Sequence, residues 1–205
     1  VIALVDYGAG NLTSVKKALS AIGADVVVPE RPDELGDASG IIVPGVGHFG
    51  ATRALDQSWI DAVIDRVGEG RPLLGICLGM QWLFESSDEA PDVRGLGLLS
   101  GNCYRLDAIH KTGPEPPIKV PHVGWNSLTI GRDSWITEGV PPGAQVYYTH
   151  SYVAPVTGDT VAVSEHGERF AAIVQRAQVA GVQFHPEKSG DVGLQILRNF
   201  VELAG

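Results

Sequence analysis

Two cysteines in 205 residues, Cys77 and Cys103, allow at most one disulfide, which excludes a disulfide-built scaffold and a cysteine-rich zinc site. A reducing, cytoplasmic setting is the corresponding expectation. Basic residues are outnumbered, with 15 Lys and Arg against 24 Asp and Glu and a net charge of −9. A surface of that sign repels phosphate backbones, so no nucleic-acid partner is expected. Long apolar runs are missing too. The charge-free stretch Leu73–Phe84 is broken by Gly75 and Gly79 and falls well short of the ~20 residues of a membrane span, so no membrane partner is expected either. Val1–Val5 runs at once into Asp6 and a glycine turn, which reads as a strand and not as a secretion signal.

What is present is globular. Hydrophobic residues make up 44% of the chain and charged residues 19%. A chain of this length buries roughly 70% of its unfolded surface, so a single domain over residues 1–205 needs no metal or disulfide to hold it.

The first half alternates short apolar runs with amphipathic segments, the pattern of a parallel sheet with crossover helices. Val1–Val5 is a strand; Asn11 caps a helix carrying Leu12, Val15, Leu19 and Ile22 at helical spacing; Gly23 ends it before a strand over Asp25–Val28. Ile41–Val43 and Leu73–Ile76 are two more strands, with a helix around Trp59–Val67 between them and another over Met80–Phe84. After about Gly95 the spacing shortens. Strands are expected at Val146–Val153, Thr160–Ser164, Phe170–Gln175 and Val179–Phe184, as an antiparallel or mixed portion, before a last helix over Val192–Leu203. The Pro-rich segment His110–Pro121 is neither helix nor central strand.

Gly75-Ile76-Cys77-Leu78-Gly79 sits where a buried strand enters a helix. A nucleophile at such a junction occupies a tight turn above the carboxyl edge of the sheet, and small residues two positions either side make room for it. The N–H of Leu78 then faces the same space and can hold an oxyanion. The competing reading of Cys77 is a small buried hydrophobe. A thiol nucleophile needs a base, and there are six histidines: His48, His110, His122, His150, His166 and His185. His185 stands out because it follows a strand and precedes Pro186-Glu187. Extended backbone sends residues two apart to the same side, so Glu187 can orient the imidazole. Cys77, His185 and Glu187 thus read as nucleophile, base and orienter, or, for the last two, as a turn opening the final helix. Pro44-Gly45-Val46-Gly47 lies at the end of the neighbouring strand, where glycines let backbone N–H groups approach an oxyanion and let the peptide joining Val46 to Gly47 turn. A plain strand-to-helix turn is the alternative. Gly8-Ala9-Gly10-Asn11 lacks the third glycine of a dinucleotide loop and reads as a turn and helix cap.

Gly75–Gln81 together with Gln183-Phe184-His185-Pro186-Glu187 resembles the class I, triad-type glutamine amidotransferases. Val5–Leu12, Pro44–Gly47, Pro121–Asn126, Tyr147–Tyr152 and His185–Ser189 narrow the resemblance to the glutaminase subunits of imidazole glycerol phosphate synthases, over essentially the whole chain. The resemblance implies a flavodoxin-like three-layer α/β fold, its sheet mixed but mostly parallel, with an added antiparallel β portion. It implies hydrolysis of L-glutamine to glutamate and ammonia, with the ammonia passed to a (β/α)8 barrel cyclase subunit in a heterodimer, and with no metal or other cofactor. By position it makes Cys77, His185 and Glu187 the triad and Val46, Gly47 and Leu78 the oxyanion hole. Gly47, Gln81, Glu89, Ser151 and Tyr152 become glutamine contacts, and Trp125, Asn126, Tyr147 and Lys188 the cyclase-facing rim. Rival readings are the glutaminase of pyridoxal phosphate synthase, a noncatalytic scaffold subunit and a stand-alone cysteine hydrolase.

Overall fold

Strands covered by helices on both faces must be apolar at every position, and four segments meet that demand. The computed structural model describes residues 1–107 and 118–205. In chain order, β1 (Ile2–Leu4) is followed by α1 (Leu12–Ala21), β2 (Val26–Val27), β3 (Gly40–Val43), α2 (Gln57–Gly68), β4 (Leu73–Ile76) and α3 (Leu78–Trp82). The short strands β5 (Ser86–Ser87), β6 (Asn102–Arg105), β7 (His122–Ser127), β8 (Thr129–Ile130), β9 (Gln145–His150) and β10 (Tyr152–Val153) come next. The chain closes with β11 (Thr160–His166), β12 (Glu168–Arg176), β13 (Val179–Val182) and α4 (Gly190–Ala204). Every residue of β1, β3, β4 and β13 is buried.

These strands form the centre of an eight-stranded sheet in the order β2-β1-β3-β4-β13-β12-β11-β8. The first five run parallel; β12, β11 and β8 continue it antiparallel. Helices α1 and α4 close one face through Val15, Leu19, Ile196 and Phe200, while Val63 of α2 and Met80 and Trp82 of α3 pack on the other. The result is the three-layer α/β architecture with an added antiparallel part. Two caps fix the helix starts: Asn11 accepts from the Ser14 N–H at 3.3 Å, and Asp56 from the Ser58 and Trp59 N–H groups.

The structure departs from the sequence expectations at three places. The expected strand Val146–Val153 is split at Ser151: β9 pairs with β7 in a two-stranded sheet, and β10 pairs with β6 in a three-stranded one. The Ser151 carbonyl is turned to the Leu106 N–H, at 2.8 Å, which ends one ladder and starts the next. The helix after Cys77 spans Leu78–Trp82 instead of Met80–Phe84, and β5 to β8 are too short or too polar for an apolar periodicity to reveal. Of the Pro-rich segment, residues up to Pro117 lie outside the described residues.

Candidate active site

β4 ends at Ile76, and Cys77 takes φ 53° and ψ −106° as it turns into α3. A residue with a side chain resists that region at a cost of about 1 kcal/mol or more, so the surroundings must impose it. They do so by proximity. A methyl group on Gly75 would lie 2.5 Å from the Gly79 carbonyl oxygen, and one on Gly79 would lie 1.8 Å from the Val43 carbonyl oxygen. β3, β4 and α3 therefore approach more closely than any side chain allows, and the turn between them is clamped. The Cys77 N–H donates to the Val182 carbonyl at 2.7 Å, which ties the turn to β13 as well.

β13 runs into His185, whose Nδ1 lies 2.9 Å from Glu187 Oε1, both side chains being 2% exposed. Among the described residues Glu187 Oε2 and His185 Nε2 are buried without a hydrogen-bond partner, so Nε2 is the ring nitrogen left for the sulfur. Burial opposes charge on the imidazole, but contact with Cys77 and Glu187 outweighs it and pushes His185 up to about 10. Cys103 is different: it is fully buried, burial pushes its thiol far up, and its sulfur lies against the Gln81 carbonyl.

Beside Cys77 opens a cavity of ≈300 Å³. Gly47, Leu78, Gln81, Glu89, Ser151 and Tyr152 all line it, so the positions singled out by resemblance converge on one space. Glu89 is aimed by the Phe49 N–H, which donates to Oε2 at 2.7 Å and leaves Oε1 free of that contact. Thr149, His150 and Pro121 complete the wall. No local pattern distinguishes His150 among the six histidines, because its place at the break between β9 and β10 is set by sheet pairing and not by neighbouring residues.

The oxyanion candidates are engaged elsewhere in this arrangement. The Leu78 N–H donates to the Gly45 carbonyl at 3.4 Å, and the Val46 N–H donates to the Ala9 carbonyl at 3.0 Å. Gly47 has φ +97° with open space around its Cα. The peptide with both ends occupied is thus the one joining Gly45 to Val46, one residue earlier than the peptide to which the glycine spacing points. Tyr7 lies alongside, with a buried hydroxyl that has no partner among the described residues and whose proton burial holds firmly.

Comparison with known proteins gives this geometry a family. Residues 3–203 match the family "Glutamine amidotransferase class-I". The chain belongs to it. It is 48% identical to the imidazole glycerol phosphate synthase subunit HisH of Halobacterium salinarum, over 98% of this chain and 92% of that one. Against the protein of the same name from Geobacillus kaustophilus it is 48% identical, over 100% and 97% of the two chains. A solved structure titled "Crystal structure of glutamine amidotransferase" covers 100% of both chains with a TM-score of 0.76 at 23% identity, a likeness of fold.

In this class I amidotransferase the expected rim residues divide between two faces. Trp125 on β7, 57% exposed, lies edge-on to Tyr147 on β9, its register partner, and the Lys188 ammonium sits 5.9 Å from the Tyr147 ring centre. These three form one patch. Asn126 points the other way, donating to the Glu165 carbonyl at 2.8 Å, because successive strand residues alternate faces. Behind it His122 Nδ1 meets His150 Nε2 at 3.0 Å and stacks on His166 and Tyr148. Burial, reinforced by the neighbouring histidines, pushes His122 down to about 4 and His150 to about 3. Both shifts favour the neutral ring.

Proposed function

We propose that Cys77, His185 and Glu187 carry the glutaminase reaction within one domain over residues 1–205. The chain is a glutamine amidotransferase acting in histidine biosynthesis, as part of an imidazole glycerol phosphate synthase. The observation that carries the assignment of residues is the buried His185–Glu187 pair at 2.9 Å, beside a thiol that opens on a ≈300 Å³ cavity. That volume is at the lower end for ligand sites and suits a single amino acid.

His185 takes the proton of the Cys77 thiol as the sulfur attacks the side-chain amide carbon of glutamine, and the carbonyl π electrons move to oxygen. His185 gives that proton to the departing nitrogen, and ammonia leaves with the C–N bonding pair. His185, now neutral, takes a proton from water as that water attacks the thioester, and glutamate and the sulfur part. Glu187 holds the ring throughout. The oxyanion requires a turn of the Gly45–Val46 peptide: this releases the Leu78 N–H from the Gly45 carbonyl and swings the Val46 N–H from Ala9 toward the cavity, with Gly47 absorbing the change. Glu89, Gln81, Ser151 and Tyr152 seat the amino acid end of the substrate.

The partner in this reading is a (β/α)8 barrel cyclase in a one-to-one heterodimer. Trp125, Tyr147 and Lys188 offer the kind of aromatic and cationic patch that anchors interfaces, while Asn126 supports it from behind. The Tyr147 carbonyl accepts from the His185 N–H at 2.9 Å, so the patch and the base share backbone. Glutamate release by the chain alone, with the cyclase, and with the cyclase and its nucleotide tests the whole scheme. Turnover should be slight alone and rise in the complex; Cys77→Ala should lose at least about 10³-fold while still assembling. Near-normal release by Cys77→Ala would overturn the triad, and full turnover without any partner would favour a stand-alone hydrolase.

A further inference from the structure

Gln183 lies two residues before His185, fully buried and so far without a role. Its Nε2 donates to Cys77 Sγ at 3.6 Å. Which end of the amide faces the sulfur is decided by a chain of contacts. Gln81 Nε2 donates at 2.9 Å to the Tyr152 backbone carbonyl, an atom that can only accept. The same nitrogen lies 3.2 Å from Gln183, so Gln183 must present Oε1 to it and has only its N–H₂ left for the sulfur. A backbone carbonyl thereby fixes two side-chain amides in sequence, and the last of them points a donor at Cys77.

We propose that Gln183 is a positioning residue that, locked by Gln81, holds the Cys77 sulfur for attack and favours its charged form. The inference rests on the triad reading. A hydrogen-bond donor aimed at sulfur stabilises charge there relative to the neutral S–H. The relay is buried at Gln183 and nearly so at Gln81, so water does not substitute for a lost amide. Glutamine seated against Tyr152 would also meet the wall from which the relay hangs.

Alkylation of Cys77 by iodoacetamide in the full chain, mapped by mass spectrometry from about pH 5 to pH 10, reads the effect without glutamine. Gln183→Met, of similar length but without a donor, should slow alkylation about tenfold at neutral pH and move its pH profile upward. Gln81→Met, which does not touch the sulfur, should slow it as well, and the double variant should be no slower than Gln183→Met alone. In the assembled synthase Gln183→Met should lower kcat and leave the KM for glutamine within about twofold. A wild-type alkylation profile in Gln183→Met, or effects of the two variants that multiply, overturns the relay. Should Gln183→Met fail to fold, wild-type alkylation in Gln81→Met overturns it instead. Labelling of Cys103 in place of Cys77 in the unmodified chain would sink the triad reading, whereas Cys77 labelling indifferent to Gln183 sinks the relay alone.

Discussion

At the Cys77 turn, Gly75 and Gly79 are glycine because there is no room: added methyl groups would lie 2.5 Å and 1.8 Å from backbone oxygens of neighbouring elements. At the Pro44–Gly47 turn, Gly47 is glycine for its backbone, with φ +97° and nothing within 4 Å. The two turns end adjacent parallel strands and open on the same cavity, yet one is clamped by contacts that cannot relax and the other is held by two hydrogen bonds that can. In the proposed mechanism the nucleophile is therefore fixed and the oxyanion donors adjustable. Gly45 stands between them, since a methyl there would lie 2.1 Å from the Tyr7 hydroxyl oxygen and 2.7 Å from Leu78 Cβ. A glutaminase that should work only with its partner gains from this division: a ligand that favours one peptide orientation by differential contacts controls the reaction without disturbing the thiol.

Gly79→Ala is the severest way to break the clamp. Backbone faces backbone at that position, so no side chain can swing aside, and β3 and α3 must separate. A loss of about 3 kcal/mol or more in urea unfolding is expected, at the upper end for overpacking. A midpoint within experimental error of the parent would show that the turn is not clamped as described.

Gly47→Ala sharpens the contrast from the other side. The methyl has space, so the cost is only that of a positive φ for a residue with a side chain, about 1–2 kcal/mol, and the fold should remain. Its effect on activity should be specific. Because alanine narrows the backbone freedom of the residue that must absorb the turn of the Gly45–Val46 peptide, the rise in kcat produced by the cyclase should shrink, with the KM for glutamine little changed. An undiminished rise in kcat would place the switch outside this turn.

The difference between the two turns also explains what is legible in the sequence. β4 and the Cys77 elbow rest on local facts, an apolar run flanked by glycines at fixed offsets, and β4 spans the expected Leu73–Ile76. Extended backbone predicts the pairing of His185 with Glu187, but only His185 is extended: Pro186–Lys188 is a 3-10 turn, and that turn brings Glu187 Oε1 to the ring. The cavity wall rests on no such local facts. Gln183 and His150 owe their contacts to β13 lying beside β4 and to the chain changing sheets at Ser151, long-range events that no local spacing records. The orientation of the Gly45–Val46 peptide is equally hidden, because its partners Ala9 and Leu78 come from two other strand ends. Asn126 owes its contact to sheet pairing as well, since strand alternation turns it from Trp125 to the Glu165 carbonyl.

The smallest expected effect concerns a histidine pair of which one member, His150, lines the cavity that both turns face. His122 and His150 are held neutral, pushed down to about 4 and about 3, whereas in the unfolded chain each titrates near its ordinary value. Between about pH 6.5 and pH 4 the unfolded chain therefore binds protons that the folded pair refuses, and stability falls as pH falls, by up to about 1.4 kcal/mol per pH unit for one histidine. Because the two rings share a hydrogen bond, the pair takes up its protons as a unit. His185 has the opposite sign: its raised value gives stability that is complete below about pH 6.5 and lost as pH climbs through about 10, so it does not contribute to the acid limb. His122→Phe keeps a flat ring between Tyr148 and His166 and removes the titration. At neutral pH it should cost about 1 kcal/mol for the lost hydrogen bond to His150, and its urea midpoint should then decline less steeply than the parent's as the pH is lowered to 4. The two curves converge if the histidine pair is the acid-labile part of the site; curves that stay parallel would assign acid lability to the carboxylates and leave the pair as fixed as the elbow.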